Sequence, residues 1–184
     1  MTKDGKIRII SGQWKSRILR FPAIKDLRPT PGIIRETLFN WLREEIRGST
    51  CLDLFAGSGA LGFEAASRGA KQIVMVDNAV PVIKALTNNA QALAGHQIEI
   101  IKSDAITYIE KSEAQFDIVF VDPPYNSDNI IQICKTLHDR DLLNSGAYIY
   151  IESAKMPLAS SLPIGWTVFR EKKCGMVHST LVRT

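Results

Sequence analysis

Thr50-Cys51-Leu52-Asp53-Leu54-Phe55-Ala56-Gly57-Ser58-Gly59-Ala60-Leu61-Gly62 decides the fold class. Its first half is an apolar run of strand length, residues 51–55, and a helical apolar pattern over 60–67 starts within the glycines. Glycines at such a corner let the backbone turn tightly and come close to a ligand. G-x-G-x-x-G after a strand and before a helix is the nucleotide-binding fingerprint of open α/β sheets. The strand-turn-helix texture then recurs. Strands are expected over 72–76, 98–101, 116–121 and 147–151, with helices over 80–93, 105–111 and 129–138. That alternation predicts an α/β, doubly wound, mainly parallel sheet. The last two expected strands, 166–171 and 176–182, are joined by Lys172-Lys173-Cys174-Gly175. A link so short allows only an antiparallel hairpin at the sheet edge.

Ahead of this unit the chain reads differently. Two short strands, 6–10 and 17–21, flank a turn carrying Trp14, either a stacking platform or a plug for the hairpin. Thr30 before Pro31 predicts an N-cap for a helix over 32–46, closed by Gly48. Residues 1–35 hold nine Lys or Arg against two Asp, a formal +7; with +4 overall, the other 149 residues carry −3. A basic end on a mildly acidic body points to a polyanion bound at one side. Arg8, Lys15, Arg17, Arg20, Arg28 and Arg35 are the expected phosphate contacts. Arg35 and Glu36 either line the pocket or form a solvated helix face.

At 184 residues, with 45% hydrophobic and 23% charged residues, the chain fits a soluble globular protein with a sizeable core. No apolar run is long enough to span a membrane, and no secretory signal core follows Met1. Cys51, Cys134 and Cys174 share no metal-ligand spacing, so reduced thiols, a cytoplasmic setting and no metal are expected. His96, His138 and His178 show no partner pattern and read as structural or surface residues.

Asp77 lies 20 residues after Gly57, as in a dehydrogenase, so a nicotinamide cofactor has to be weighed. Asp53 argues against it: a carboxylate four residues before the first glycine repels a pyrophosphate and suits an ammonium group. Asp104 adds an acceptor where an adenine amino group could be read. A cofactor with an amino acid, a ribose and an adenine but no phosphate fits all three, and that is S-adenosylmethionine. Phe55, Gly57, Gly59 and Ala105 are expected along the same cradle. Asp53 or Asp77 taken singly could instead cap a helix.

Asp122-Pro123-Pro124-Tyr125 ends the apolar strand 116–121, where open α/β sheets bind ligands. Two prolines stiffen the turn and remove two donors. Asp122 and the Pro123 carbonyl are rigid acceptors, and Tyr125 offers a stacking face. Together they suit an exocyclic amino group on a planar base; the plain alternative is a stiff turn.

The chain resembles the bacterial 16S ribosomal RNA (guanine-966-N2)-methyltransferase family. The resemblance lies in Arg8-Ile9-Ile10-Ser11-Gly12, Leu27-Arg28-Pro29-Thr30, Arg35-Glu36-Thr37-Leu38-Phe39-Asn40-Trp41-Leu42, the 51–62 stretch and Val119-Phe120-Val121-Asp122-Pro123-Pro124-Tyr125. Ser11 departs from an expected Gly. The resemblance implies a class I methyltransferase fold and methylation of one guanine in 16S ribosomal RNA, free or within the small subunit or its precursor. It would divide the chain into a docking extension, 1–48, and a methyltransferase domain, 49–184, working as a monomer. Rival readings are an amino methyltransferase acting on DNA adenine or protein glutamine, which usually shows Asn at the position of Asp122, and a catalytically silent RNA-binding assembly factor.

Overall fold

Alternating exposure builds the N-terminal hairpin. In a computed structural model describing residues 4–24, 29–124, 129–153 and 159–184, β1 (Gly5–Arg8) and β2 (Ile18–Phe21) pair antiparallel, Ile7 opposite Leu19 and Lys6 opposite Arg20. Ile7, Leu19 and Phe21 point inward, while Lys6, Arg8, Ile18 and Arg20 are exposed. One face is thus apolar and the other cationic, as period-two patterning requires. Helix α1 follows (Gly32–Trp41). It is shorter than expected, because Leu42 to Gly48 form turns.

A sheet of seven strands carries the rest. β3 (Thr50–Asp53), β4 (Gln72–Asp77), β5 (Ile98–Lys102), β6 (Phe116–Val121) and β7 (Leu143–Ser153) are parallel. Helices α2 (Ala60–Ser67), α3 (Val80–Ala92), α4 (Ala105–Lys111) and α5 (Ile130–Asp139) connect them, with a short 3-10 turn at Ala159–Ser161. β8 (Thr167–Cys174) and β9 (Val177–Arg183) form the C-terminal hairpin, closed by Gly175-Met176. The order is β5-β4-β3-β6-β7-β9-β8, so β9 slots antiparallel against β7 and β8 becomes the edge. This is the class I methyltransferase architecture. The chain order reverses between β3 and β6, and a crevice opens there at the strands' carboxyl ends.

Each sheet face carries its own apolar layer. On one, Leu38, Phe39 and Leu42 pack with Ile118, Phe120, Tyr148, Tyr150 and Phe63; on the other, Val119, Val121, Ile149 and Ile151 meet Ile133 and Leu137. A fully buried Leu or Phe contributes about 1.5–3 kcal/mol over an exposed one. The hairpin's Ile7, Leu19 and Phe21 belong to the first layer, so it packs on the body rather than projecting from it. Trp14 is half-buried against that layer, which answers the plug-or-platform question in favour of packing. Among the described residues no helix is long and apolar enough to cross a membrane.

Candidate active site

Three carboxyl groups face the crevice. Asp53 is the last residue of β3, and its Oδ2 accepts from the Gly62 amide at 3.0 Å. Asp122 follows β6, and its Oδ2 accepts from the Thr30 hydroxyl at 3.3 Å. Glu152 lies near the end of β7; because Val121 pairs with Ile151, it is level with Asp122 on the next strand. Its Oε1 accepts from the Tyr150 hydroxyl at 2.8 Å, and that hydroxyl lies 3.1 Å from Ser179 Oγ.

Crowding of like charges shows in their acidities. Burial pushes Asp53 up to about 7, with Asp122 and Asp77 adding repulsion against the bonds from Gly62 and Phe55. Burial also raises Asp122, opposed by the Thr30 hydroxyl. Glu152 is raised by burial and then by Asp122. Level with each other on neighbouring strands, Asp122 and Glu152 resist ionising together. At neutral pH the site is therefore short of positive charge, and a cationic ligand would relieve it.

The glycine corner is held from two sides. Asp77 Oδ2 accepts from the Gly57 amide at 3.0 Å and Oδ1 from the Ala79 amide at 2.9 Å. Gly59 has φ +78°, and a Cβ there would collide with Phe63 and Leu86, so another residue is excluded on both counts. Asp104 N-caps α4 through the Thr107 amide at 3.2 Å. Ala105 is buried beneath it, and Phe55 is half-buried against the second layer. The structure thus brings Asp53, Phe55, Gly57, Gly59, Asp77, Asp122 and Pro123 to one end of the sheet, where β5 also presents Asp104. The fit to S-adenosylmethionine is good: its cationic sulfonium and ammonium suit the carboxylates, whereas Asp53 at the glycine corner would repel a pyrophosphate. Among the described residues no His, Cys, Asp or Glu group could hold a metal ion.

Two expectations need correction. Thr30 does not cap α1; the N-cap is Pro31, with no side-chain bond, and the Thr30 hydroxyl is spent on Asp122. Arg35 is neither a solvated face nor a free phosphate contact. It is 4% exposed, pairs with Glu64 at 3.4 Å and donates to the carbonyls of Arg8 and Thr30. Arg8, Lys15, Arg17 and Arg20 are exposed, with Arg17 donating to the Ala92 carbonyl at 3.3 Å. Glu36 is exposed, and so are His96 and His138. Arg28 and Tyr125 lie outside the described residues.

Residues 7–183 match the family Conserved hypothetical protein 95. The chain belongs to that family. Within reach of it, the protein named Ribosomal RNA small subunit methyltransferase D of Escherichia coli strain K12 is 39% identical, over 95% of this chain and 88% of its own. The protein of the same name from Haemophilus influenzae is 40% identical, over 96% of this chain and 93% of its own. The solved structure of the Escherichia coli yhhF protein superposes with a TM-score of 0.89 at 39% identity, covering 97% of this chain and 98% of that one. These likenesses run the length of the family match, hairpin and sheet alike.

Sequence reasoning missed Glu152 and Glu64. Glu152 has a faint signal in Tyr148-Ile149-Tyr150-Ile151-Glu152: a period-two strand ending on a buried-side acid at the ligand end of the sheet. Glu64 has none, since it looks like an ordinary helix acid.

Proposed function

We propose that this protein transfers a methyl group from S-adenosylmethionine to the exocyclic N2 of a guanine in 16S ribosomal RNA. The observation that carries the reading is Asp122, a half-buried carboxylate at the switch point beside the cofactor corner, preceding a double proline. The full-length similarity to proteins named small-subunit ribosomal RNA methyltransferases supports the RNA substrate. The guanine, and its position 966, rest on the family resemblance that the sequence motifs carry.

S-adenosylmethionine, when bound, supplies an electrophilic methyl on a sulfonium. Everything else falls to this chain. Asp53 offers its carboxylate to the amino-acid end, Asp77 to the ribose and Asp104 to the adenine. Guanine N2 is a poor nucleophile because its lone pair is delocalised into the ring. Asp122 and the Pro123 carbonyl accept its two N–H protons, drawing the nitrogen toward sp³ and aiming its lone pair. As the N–C bond forms, the S–C bond breaks, and the proton lost from N2 passes to Asp122 or water. Positioning and fixed acceptors carry the rate. Tyr125 would stack on the extruded base, which leaves a loop more cheaply than a duplex. The exposed cations of the N-terminal hairpin hold flanking phosphates.

The test is transfer of tritiated methyl groups from the cofactor to 16S ribosomal RNA, free and within small-subunit particles lacking the modification. Label in RNA is expected, and its loss with Asp122→Ala; transfer to DNA or protein instead would favour the rival amino methyltransferase, and no transfer at all the silent assembly factor.

A further inference from the structure

A row of side chains leads from the catalytic corner to the sheet edge. Asp122, just past β6, is level with Glu152 on β7, Glu152 pairs with Ser179 on β9, and Ser179 pairs with Lys172 on β8. Side chains level across paired strands share a face, so all four point to the side covered by α1. Two contacts bear this out: Lys172 Nζ donates to Thr37 Oγ1 of α1 at 3.0 Å, and Ser179 Oγ meets the Tyr150 hydroxyl that also serves Glu152. Three strand spacings place the Lys172 backbone about 14 Å from that of Asp122.

Ile33, Ile34, Thr37, Lys172, Cys174 and Ser179 line a cleft between α1 and the C-terminal hairpin. Its lip is cationic and apolar at once. Lys172 is exposed on the edge strand, Met176 at the turn is 81% exposed, and Ile33 at the start of α1 is 60% exposed, whereas Lys173 points to the opposite face of the sheet. Helix α1 has the N-terminal hairpin on one flank, through Arg35 and the Arg8 carbonyl, and this second basic hairpin on the other, through Thr37. Thr30, which touches Asp122, leads into α1 between them.

We propose that the C-terminal hairpin is a second RNA-binding wall: Lys172 neutralises a backbone phosphate of the single strand flanking the target base, with Ile33 and Met176 as apolar contacts for its unstacked bases. The RNA then straddles α1, gripped on both sides of Asp122. This deepens, and rests on, the reading of the crevice as an RNA methyltransferase site.

The test is anisotropy of a fluorescent single-stranded RNA carrying the target guanine, titrated with full-length protein across a salt series. The variant Lys172→Ala is compared with Lys71→Ala, an exposed lysine at the opposite end of the sheet. Each lost phosphate contact flattens the plot of log affinity against log salt by about 0.7 for single strands. The edge variant should therefore lose about 0.7 in slope, and the control variant nothing. Equal slopes for edge variant and wild type, or an equal loss in the control, overturn the second wall. Wild type that transfers methyl groups to RNA while the edge variant keeps its full slope refutes the wall alone. Wild type that neither binds nor methylates RNA removes both readings. Cofactor affinity by calorimetry should match in all three proteins, which confirms that each is folded.

Discussion

Replacing Glu64 with alanine should cost far more stability than a helix acid ordinarily would. Glu64 is fully buried in the second turn of α2 and accepts four bonds. Oε2 takes the Ile10 amide at 2.8 Å and Arg35 Nη1 at 3.4 Å; Oε1 takes the Ser11 amide at 2.9 Å and Arg68 Nε at 2.9 Å. Glu64→Ala leaves the buried Arg35 guanidinium without its counter-charge and strands two amides at the hairpin's docking point. Removing one partner of a buried ion pair costs about 3–5 kcal/mol. Arg68, whose side chain reaches solvent and stacks on Phe39 at 4.9 Å, loses less. For a chain of this size the loss corresponds to a fall in Tm of roughly 6–20 °C. Urea unfolding read by tryptophan fluorescence is the assay, with the midpoint reported at constant m. A double-mutant cycle with Arg35→Met isolates the pair: the double variant should recover only the share owed to the unpaired Arg35 charge, because the stranded Ile10 and Ser11 amides remain. A Glu64→Ala cost below about 1 kcal/mol would falsify the idea that this carboxylate anchors the hairpin, since that is the range of a surface pair.

Other outcomes follow from the crevice. Asp122→Ala should lower kcat by roughly 10²–10³-fold, the scale of a lost positioned electrostatic group, without lowering Tm; a stopped-assay rate within a few-fold of wild type would remove Asp122 from the chemistry. Asp77→Ala frees the Gly57 and Ala79 amides and removes the proposed ribose acceptor, so the calorimetric Kd for S-adenosylmethionine should rise; an unchanged value means another group holds the ribose. The pH dependence has a definite sign. Burial raises Asp53 to about 7, and Asp122 and Glu152 are raised as well, so the folded state keeps protons that the unfolded chain has released. Asp53's share of that stability is present at low pH and lost as pH rises from the ordinary carboxylate range to about 7. Thermal melts of the cofactor-free protein should show that decline, and Asp53→Asn should flatten it. Cofactor affinity should run the other way, strengthening toward pH 7 as Asp53 ionises; a pH-independent Kd would contradict a carboxylate–cation contact there.

The sheet was legible because its signals are local. Apolar runs such as Phe116-Asp117-Ile118-Val119-Phe120-Val121, and glycines at a corner whose backbone geometry favours little else, locate strand and corner without any tertiary knowledge. The Asp53, Asp77 and Asp122 placements followed, because each sits at a strand's end. What stayed hidden depends on partners distant in sequence. Thr30 carries every local mark of a cap, yet its hydroxyl serves a carboxylate 92 residues away. Arg35 looks like one more cation of a basic segment, but Glu64 draws it inside. Glu152 acquires meaning only from the register that sets it beside Asp122. The slotting of β9 between β7 and β8 also needs long-range pairing, since a hairpin can join a sheet by either strand.

The most direct test of the central claim is mass spectrometry of nucleosides from 16S ribosomal RNA incubated with the protein and deuteriomethyl-labelled S-adenosylmethionine. The account predicts label in N2-methylguanosine alone, and none with Asp122→Ala. Label on another base, on another atom of guanine, or undiminished without the Asp122 carboxylate would contradict it.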